Sequence, residues 1–340
     1  MTLEVGAWLC AFAASLAAVL VASDHLVRAV EAAGDHFDWP PGLVGLIAAA
    51  GADGPEVTAA IISLIKGEHD VSLGVILGSN LFNLAALLGL PILLVGFVAA
   101  RRRGVALNGA TMVLVTALAA LLVTGALPVI LVEGLAAVVL AVYAAALLLP
   151  QNAAPAHPGG SGAGLPADHG ESEAEEQRAR AREEDVAQGF PPGGRLLLVG
   201  LLATAVVIGG CTVLVNATLY LAPVLGLPRA WTGTFGLAIL TSLPNLWVAV
   251  ALARRGRGAV LVSAVCNSNT INMAFGICLP ALFTTMVPSA TVRHFDLPVL
   301  LLLSTLAVAL IWRNHGLGRR AAATLVVLYL AYAVARTLAG

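Results

Sequence analysis

Charged residues are scarce in this chain. Asp, Glu, Lys and Arg make up 11% of its 340 residues, whereas hydrophobic residues make up 59%. A soluble domain carries about 25% charged residues, so this composition excludes a water-soluble globular fold. The net charge is −1 and there is no basic tract of the nucleic-acid-binding type, so no nucleic-acid partner is expected.

Cysteines and enzyme motifs are also sparse. The four cysteines lie singly in apolar segments, without a CxxC pair or metal-ligand spacing, and we interpret them as packing residues: Cys10, Cys211, Cys266 and Cys278. No glycine-rich phosphate loop ends in Lys-Ser or Lys-Thr, so ATP is not expected to drive the protein. An intramembrane hydrolase needs a nucleophile beside a base, and the spans lack a histidine near the repeated serines described below. We expect neither an enzyme nor a cofactor.

Long apolar runs fill almost the whole chain. A bilayer core of roughly 30 Å takes about 20 helical residues, and boundaries at charges, proline and glycine predict about ten spans: near 3–23, 41–65, 71–99, 104–124, 127–149, 195–221, 230–252, 258–285, 297–312 and 320–338. The stretch 150–194 is rich in Ala, Pro, Gly, Glu and Arg and cannot bury apolar area. We predict an all-α membrane protein with membrane halves at 1–149 and 195–340, joined by a flexible loop at 150–194.

The basic residues are distributed unevenly between the two sides of this span pattern. Fourteen of the 18 Lys and Arg residues fall on one side, and the other side holds Lys66, Arg229, Arg293 and Arg336. Cytoplasmic loops carry the excess of basic residues. The pattern predicts a multi-pass protein of the plasma membrane with the loop 150–194 in the cytoplasm and both termini outside.

An internal repeat relates the two halves. A constant offset of 189 residues, without a gap, maps nine residues of the first half onto identical residues of the second: Ala49, Pro55, Ala60, Gly67, Ser79, Asn80, Asn83, Leu90 and Pro91 onto Ala238, Pro244, Ala249, Gly256, Ser268, Asn269, Asn272, Leu279 and Pro280. With five spans in each half, the two copies enter the membrane from opposite sides. Inverted repeats of this kind are typical of transporters that work by alternating access.

Each copy of the repeat has a proline in the middle of a predicted span. Pro55 and Pro244 each remove a backbone hydrogen bond and predict a helix break, where freed carbonyl groups can face a cation. Glu56 follows Pro55 directly. An ionisable side chain near the middle of the bilayer is costly unless it faces a cavity or a partner, so Glu56 is a candidate ion ligand.

A second polar motif follows in the next span of each half. Ser79 and Asn83 are four residues apart and share one helix face, as do Ser268 and Asn272. Each helix therefore offers a hydroxyl and an amide oxygen together. These are hard ligands, suited to sodium or calcium.

These motifs resemble the α-repeats of the sodium/calcium exchanger superfamily, in which a GTSLPE-like motif is followed by a GSNIFN-like motif in each half. The matching segments are 78–83, with the sequence GSNLFN, and 241–244, with the sequence TSLP. The resemblance implies a secondary cation antiporter whose ion-binding residues include Glu56 and Asn83. It also implies that four hydroxyl groups complete the ligand shell, those of Ser79, Thr241, Ser242 and Ser268.

The chain departs from the family pattern at the positions of several acids. The second-half glutamate is replaced by Asn245, and the second motif ends in Asn272, where an acidic residue is common in the family. In the first half the Thr-Ser pair has become Ala52-Asp53. Asp53 is therefore either a ligand that restores the lost charge or a cap at the helix break. Asn245 and Asn272 are either ligands or groups that hold helices together.

The expected partners are inorganic cations and the lipid bilayer, and no obligate protein partner is evident. The expected metal ligands of the transported ion are Glu56, Asn83, Asn245 and Asn272. Calcium usually takes six to eight oxygens, several of them from carboxylates, whereas a site with two acids also suits a proton or a monovalent ion. The sequence thus predicts exchange of the sodium/calcium type, with proton-coupled, sodium or potassium exchange as the alternative. A degenerate transporter that acts as an ion sensor or scaffold is a third hypothesis.

Overall fold

The computed structural model describes residues 2–36, 47, 49–148, 193–228 and 231–338. The predicted loop at 150–194 lies outside these residues, apart from its last two positions, which belong to a helix. The described helices are, in chain order, α1 (Thr2–His36), α2 (Gly54–Ile65), α3 (His69–Val95), α4 (Arg102–Val123), α5 (Val129–Leu148), α6 (Gly193–Val224), α7 (residues 232–254), α8 (Gly258–Ala281), α9 (Val292–Asn314) and α10 (Arg319–Leu338).

The described residues form eight helices that are long and apolar enough to cross a bilayer, and α7 is a bent ninth. The predicted span 41–65 is represented by the short helix α2 and a helical turn at 49–52, and residues 41–46 and 48 of it lie outside the described residues. The count of ten spans therefore remains a prediction. The all-α membrane fold is confirmed. The first helix extends to His36, well beyond its predicted end at residue 23. The polar residues after Ser23 belong to the same helix.

The local backbone repeats between the halves. The turns from α2 to α3 and from α7 to α8 both pass through a left-handed glycine, Gly67 with φ 77° and Gly256 with φ 69°. Both motif helices then widen into π-helical segments at Asn83–Gly89 and Ala274–Cys278, where backbone bonds skip one residue more than in an α-helix. The two glycines and the last residues of the two π-helical segments, Gly89 and Cys278, obey the same offset of 189 residues, so the sequence repeat is also a structural repeat.

Contacts between the connections fall into two groups, one on each predicted side of the membrane. On the arginine-rich side, strand β1 (Phe97–Ala99) pairs antiparallel with β2 (Gly316–Gly318), and Gly258 lies against Val98 and Ala99. On the other side, the Ser289 amide donates to Asp70 Oδ1 at 3.0 Å, and Trp231 Nε1 donates to Thr337 Oγ1 at 3.1 Å.

The motif helix α3 lies at the centre of the bundle. All of its residues from Val71 to Phe82 are buried. It approaches α7 so closely that a Cβ atom on Gly78 would lie 2.2 Å from the Thr234 carbonyl oxygen, and one on Gly233 would lie 2.6 Å from the Val71 carbonyl oxygen. Backbones that meet without side chains between them are typical of packed membrane helices. The close approach brings the polar residues of the two halves together.

Candidate functional site

A break in the first half positions two acidic side chains at the start of α2. Residues 49–52 are helical, Asp53 is in a turn, and α2 begins at Gly54. Pro55 lies in the first turn of α2, where the missing amide hydrogen leaves no hydrogen bond unmade. Asp53 and Glu56 are each only 1% exposed. The break thus places both carboxylates inside the bundle.

The corresponding segment of the second half is also distorted. The helix α7 bends by 51° between Thr232–Leu243 and Asn245–Arg254, so the bend falls at Pro244. Ser242 is buried just before the bend, and Asn245 is half-buried just after it. Thr241, one residue earlier, donates its hydroxyl to the Leu237 carbonyl oxygen at 2.9 Å. The Thr241 hydroxyl hydrogen is therefore used within its own helix.

Each carboxylate of the first half accepts hydrogen bonds from the second half. Ser242 Oγ donates to Glu56 Oε1 at 2.9 Å. Ser268 Oγ donates to Asp53 Oδ1 at 2.7 Å, and Asn245 Nδ2 lies 3.4 Å from the same oxygen. The second oxygen of each acid, Glu56 Oε2 and Asp53 Oδ2, is buried without a hydrogen-bond partner.

Four asparagines join the two motif helices α3 and α8 at their crossing. Asn80 Nδ2 donates to the Asn269 carbonyl oxygen, and Asn269 Nδ2 donates to the Asn80 carbonyl oxygen, both at 3.1 Å. Asn83 Nδ2 donates to Asn269 Oδ1, and Asn272 Nδ2 donates to Asn80 Oδ1, both at 3.0 Å. Each bond thus occurs twice, once from each half, so a pseudo-two-fold axis passes between the helices.

Further buried oxygens at this crossing have no hydrogen-bond partner. They are Ser79 Oγ, Asn83 Oδ1 and Asn272 Oδ1. Leaving a buried polar atom unpaired costs about 1–3 kcal/mol, so a cluster of such atoms is expected to serve a ligand. Among the residues that the structure describes, no group of three or more His, Cys, Asp or Glu is close enough to hold a metal. The available ligand set is therefore two carboxylates with neutral amide and hydroxyl oxygens.

Most of the predicted site residues are connected in space. Asn83 Nδ2 also donates to Ser268 Oγ at 3.0 Å, which links the asparagine network to Asp53. Seven of the predicted residues therefore belong to contacts that cross between the halves: Asp53, Glu56, Ser242, Asn245, Ser268, Asn83 and Asn272. Ser79 directly precedes Asn80 in α3. Asp53 makes no side-chain hydrogen bond to the start of α2. Its interpretation as a helix cap is therefore wrong.

Two groups of buried polar residues were missed by the sequence reasoning about the site. Asn80 and Asn269 hold the motif helices together, and their signal was their identical place in both copies of the repeat. Asp296 and Arg336 form a buried ion pair, with Arg336 Nε 3.1 Å from Asp296 Oδ1, and Tyr332 donates its hydroxyl to the same carboxylate. Their only sequence signal was one acid and one base near the ends of adjacent spans.

Comparison with known proteins identifies the family. The family described as "Sodium/calcium exchanger protein" matches residues 7–150 and 195–338. The chain belongs to this sodium/calcium exchanger family. The exchanger is 29% identical over 302 residues to the inner membrane protein YrbG of Escherichia coli strain K12, covering 87% of the chain and 86% of YrbG.

Solved structures share the fold of this exchanger. The H+/Ca2+ exchanger CAX superimposes with a TM-score of 0.67 at 16% identity, covering 95% of the chain and 81% of that protein. The sodium-calcium exchanger NCX_Mj superimposes with a TM-score of 0.62 at 19% identity, covering 97% of the chain and 99% of that protein. The chain is therefore a multi-pass cation antiporter with inverted repeats, and it is a transporter rather than an enzyme.

Proposed function

We propose that this exchanger transports calcium across the membrane in exchange for sodium, by alternating access of a site that contains Glu56 and Asp53. The observation that carries the proposal is that each acid keeps one buried oxygen without a hydrogen-bond partner, while its other oxygen is held by the opposite half. Such oxygens are poised to bind a cation that has lost its hydration shell.

The composition of the site supports a divalent substrate. Two carboxylates balance the charge of one calcium ion, which takes six to eight oxygens at 2.3–2.6 Å. Neutral oxygens that can complete the shell are those of Ser79, Asn83, Ser242, Ser268 and Asn272, with Asn245 and Thr241 at the bend of α7. We propose Glu56, Asn83, Asn245 and Asn272 as metal ligands, with Pro55 and Pro244 shaping the two helix breaks.

Exchange that is coupled to protons or to a monovalent cation is the second candidate. The second half contributes Asn245 and Asn272 rather than acids, so the site holds fewer charges than a dedicated calcium cage. A carboxylate can carry a proton in one direction and a cation in the other. The names of the two structural neighbours, one an H+/Ca2+ exchanger and one a sodium-calcium exchanger, support both forms of coupling equally.

We also propose an orientation and a domain organisation for the chain. The arginine-rich side, which includes β1 and β2, faces the cytoplasm of a cell whose plasma membrane holds the protein. Both termini are then outside, and the segment 150–194 is a cytoplasmic connection between membrane halves at 1–149 and 195–340. The single site between the two halves opens to each side of the membrane in turn as the inverted repeats rearrange.

Calcium-45 uptake into proteoliposomes tests the function. Vesicles with an outward sodium gradient are compared with vesicles with an outward proton gradient, and the active gradient identifies the coupling ion. A carboxylate about 4 Å from a divalent cation, at an effective dielectric constant of about 20, attracts it by about 8 kcal/mol before dehydration is counted. Since dehydration offsets much of this attraction, we expect Glu56→Gln to reduce calcium transport at least about a hundredfold.

The control for this experiment is Asp24→Asn. Asp24 lies in the membrane helix α1 and forms an exposed ion pair with Arg28, outside the contacts of the site, so uptake should persist when it is neutralised. Absence of calcium uptake under both gradients, from folded protein, would exclude calcium as the substrate. The same vesicles would then be tested for exchange of sodium, potassium and protons.

A further inference from the structure

The repeat relates the two carboxylate contacts of the site to each other. The offset of 189 residues pairs Glu56 with Asn245 and Ser242 with Asp53. If a two-fold axis relates the halves, the contact between Glu56 and Ser242 must have a counterpart between Asn245 and Asp53. Both contacts exist, at 2.9 Å and 3.4 Å.

The same axis governs the neighbouring asparagines, so this equivalence is not a coincidence of one pair. Asn80 and Asn269 donate to each other's carbonyl oxygens at 3.1 Å, and the bonds from Asn83 and Asn272 are both 3.0 Å. The repeat-related oxygens Asn83 Oδ1 and Asn272 Oδ1 are both buried and unpaired, whereas Ser79 Oγ is unpaired and its counterpart Ser268 Oγ donates to Asp53.

Each of the two related contacts holds one carboxylate, but at different positions. In the first contact the acid is the residue after the proline, Glu56, and the neutral partner is Ser242. In the second contact the residue after the proline is the neutral Asn245, and the acid is Asp53, at the position related to Ser242. The charge has changed sides within an otherwise equivalent contact.

We propose that residues 53 and 245 are interchangeable carriers of one charge, so that Asp53, the second carboxylate of the proposed site, supplies the charge that the two-fold axis assigns to residue 245. The two carboxylates then lie in symmetry-related contacts on either side of one divalent cation. This inference rests on the proposed function, because it assumes that Glu56 binds the transported ion.

The contacts of Asp53 fit a ligand and do not include a helix cap. Its carboxylate makes no hydrogen bond to its own helix, and both of its donors, Ser268 and Asn245, come from the other half. Its second oxygen is buried without a partner. A membrane-embedded carboxylate in this state is costly unless a cation or proton neutralises it.

The experiment exchanges the charge between the two positions. Calcium affinity and gradient-driven uptake are measured for wild type, Asp53→Ser, Asn245→Glu and the double variant with both changes, which turns the second contact into a copy of the first. Loss of one of two carboxylates should weaken calcium binding at least about thirtyfold in Asp53→Ser, and the double variant should recover to within about fivefold of wild type. The double variant also restores a hydrogen bond between residues 53 and 245, so the unfolding temperatures without calcium are measured in parallel. Recovery of calcium affinity among variants with equal unfolding temperatures would establish the exchange of charge.

A double variant that folds like wild type but binds calcium no better than Asp53→Ser would overturn the inference, while an active wild type would leave the proposed function intact. An inactive wild type, in contrast, would overturn the proposed function itself.

If the double variant fails to fold, infrared difference spectra recorded on calcium addition replace it. The carboxylate bands of wild type should include an aspartate signal that Asp53→Asn removes and Asp24→Asn, a change at the exposed Asp24–Arg28 pair, retains. An unchanged aspartate signal in Asp53→Asn would refute the proposal.

Discussion

Replacing Gly78 by alanine sets two opposing effects against each other. Gly78 lies inside the motif helix α3, and alanine is favoured over glycine in a helix by about 0.5–1 kcal/mol. The new methyl group, however, would lie 2.2 Å from the Thr234 carbonyl oxygen and 2.8 Å from the Thr234 Cα atom. Both are backbone atoms, so neither can turn aside. The helices α3 and α7 must move apart instead.

The packing effect should dominate. Inserting a methylene-sized group into a packed interior costs about 1–3 kcal/mol, and here the obstacle is backbone on both sides, so the upper end of that range applies. After the gain in helix propensity is subtracted, we expect a net loss of about 2–2.5 kcal/mol in the free energy of unfolding. Transport should fall as well, because Ser79 and Asn80 follow Gly78 directly.

Thermal unfolding of the purified protein in detergent measures this loss, and the uptake assay measures the second effect. The matched control is Gly209→Ala in the membrane helix α6, where a Cβ atom would meet nothing within 4 Å. That variant should be as stable as wild type or slightly more stable. A Gly78→Ala protein that unfolds at the same temperature as Gly209→Ala, and that transports normally, would refute the reasoning about backbone contact.

Two further predictions concern the buried polar contacts outside the carboxylates. Removing one member of the ion pair, by Asp296→Asn or Arg336→Leu, should destabilise the protein by about 3–5 kcal/mol, since the other charge stays buried. Replacing both residues by leucine should cost less than either single change. Additive losses of stability in thermal unfolding would contradict the pairing. Asn80→Ala and Asn269→Ala should each lower the free energy of unfolding by about 1–2 kcal/mol, and by similar amounts, because the two residues make equivalent bonds across the axis. A large difference in unfolding temperature between the two variants would contradict that equivalence.

The membrane-spanning segments could be predicted because they depend on local properties. The scarcity of charge and the length of the apolar runs place almost all helices, since a bilayer forces every backbone polar group to bond within its own segment. The limits were at the ends of spans. The first helix continues through Asp24 and Arg28, whose four-residue spacing allows an ion pair on a solvated helix face. The apolar pattern could not indicate this extension, because these residues are charged.

The residues of the candidate site were also determined by the sequence, through the repeat. Glu56, Ser79, Asn83 and their second-half counterparts stand out as polar groups at equal positions in two apolar halves. The repeat also requires the halves to meet at an axis. The residues that the sequence missed in this role, Asn80 and Asn269, belong to the same repeat, but nothing local shows that they bond to each other.

Only the tertiary structure decided which groups face each other. Asp53 could be a helix cap or a ligand as long as its partners were unknown, and its bonds to Ser268 and Asn245 in the other half resolve that choice against the cap. The structure also decided the difference between Gly78 and its repeat partner Asn267. Position 78 needs a glycine because the Thr234 backbone lies against it, whereas position 267 accepts a side chain that bonds to Tyr143. Hydrophobicity and helix breaks act over a few neighbouring residues, whereas contacts between residues almost 200 positions apart depend on how the two halves pack.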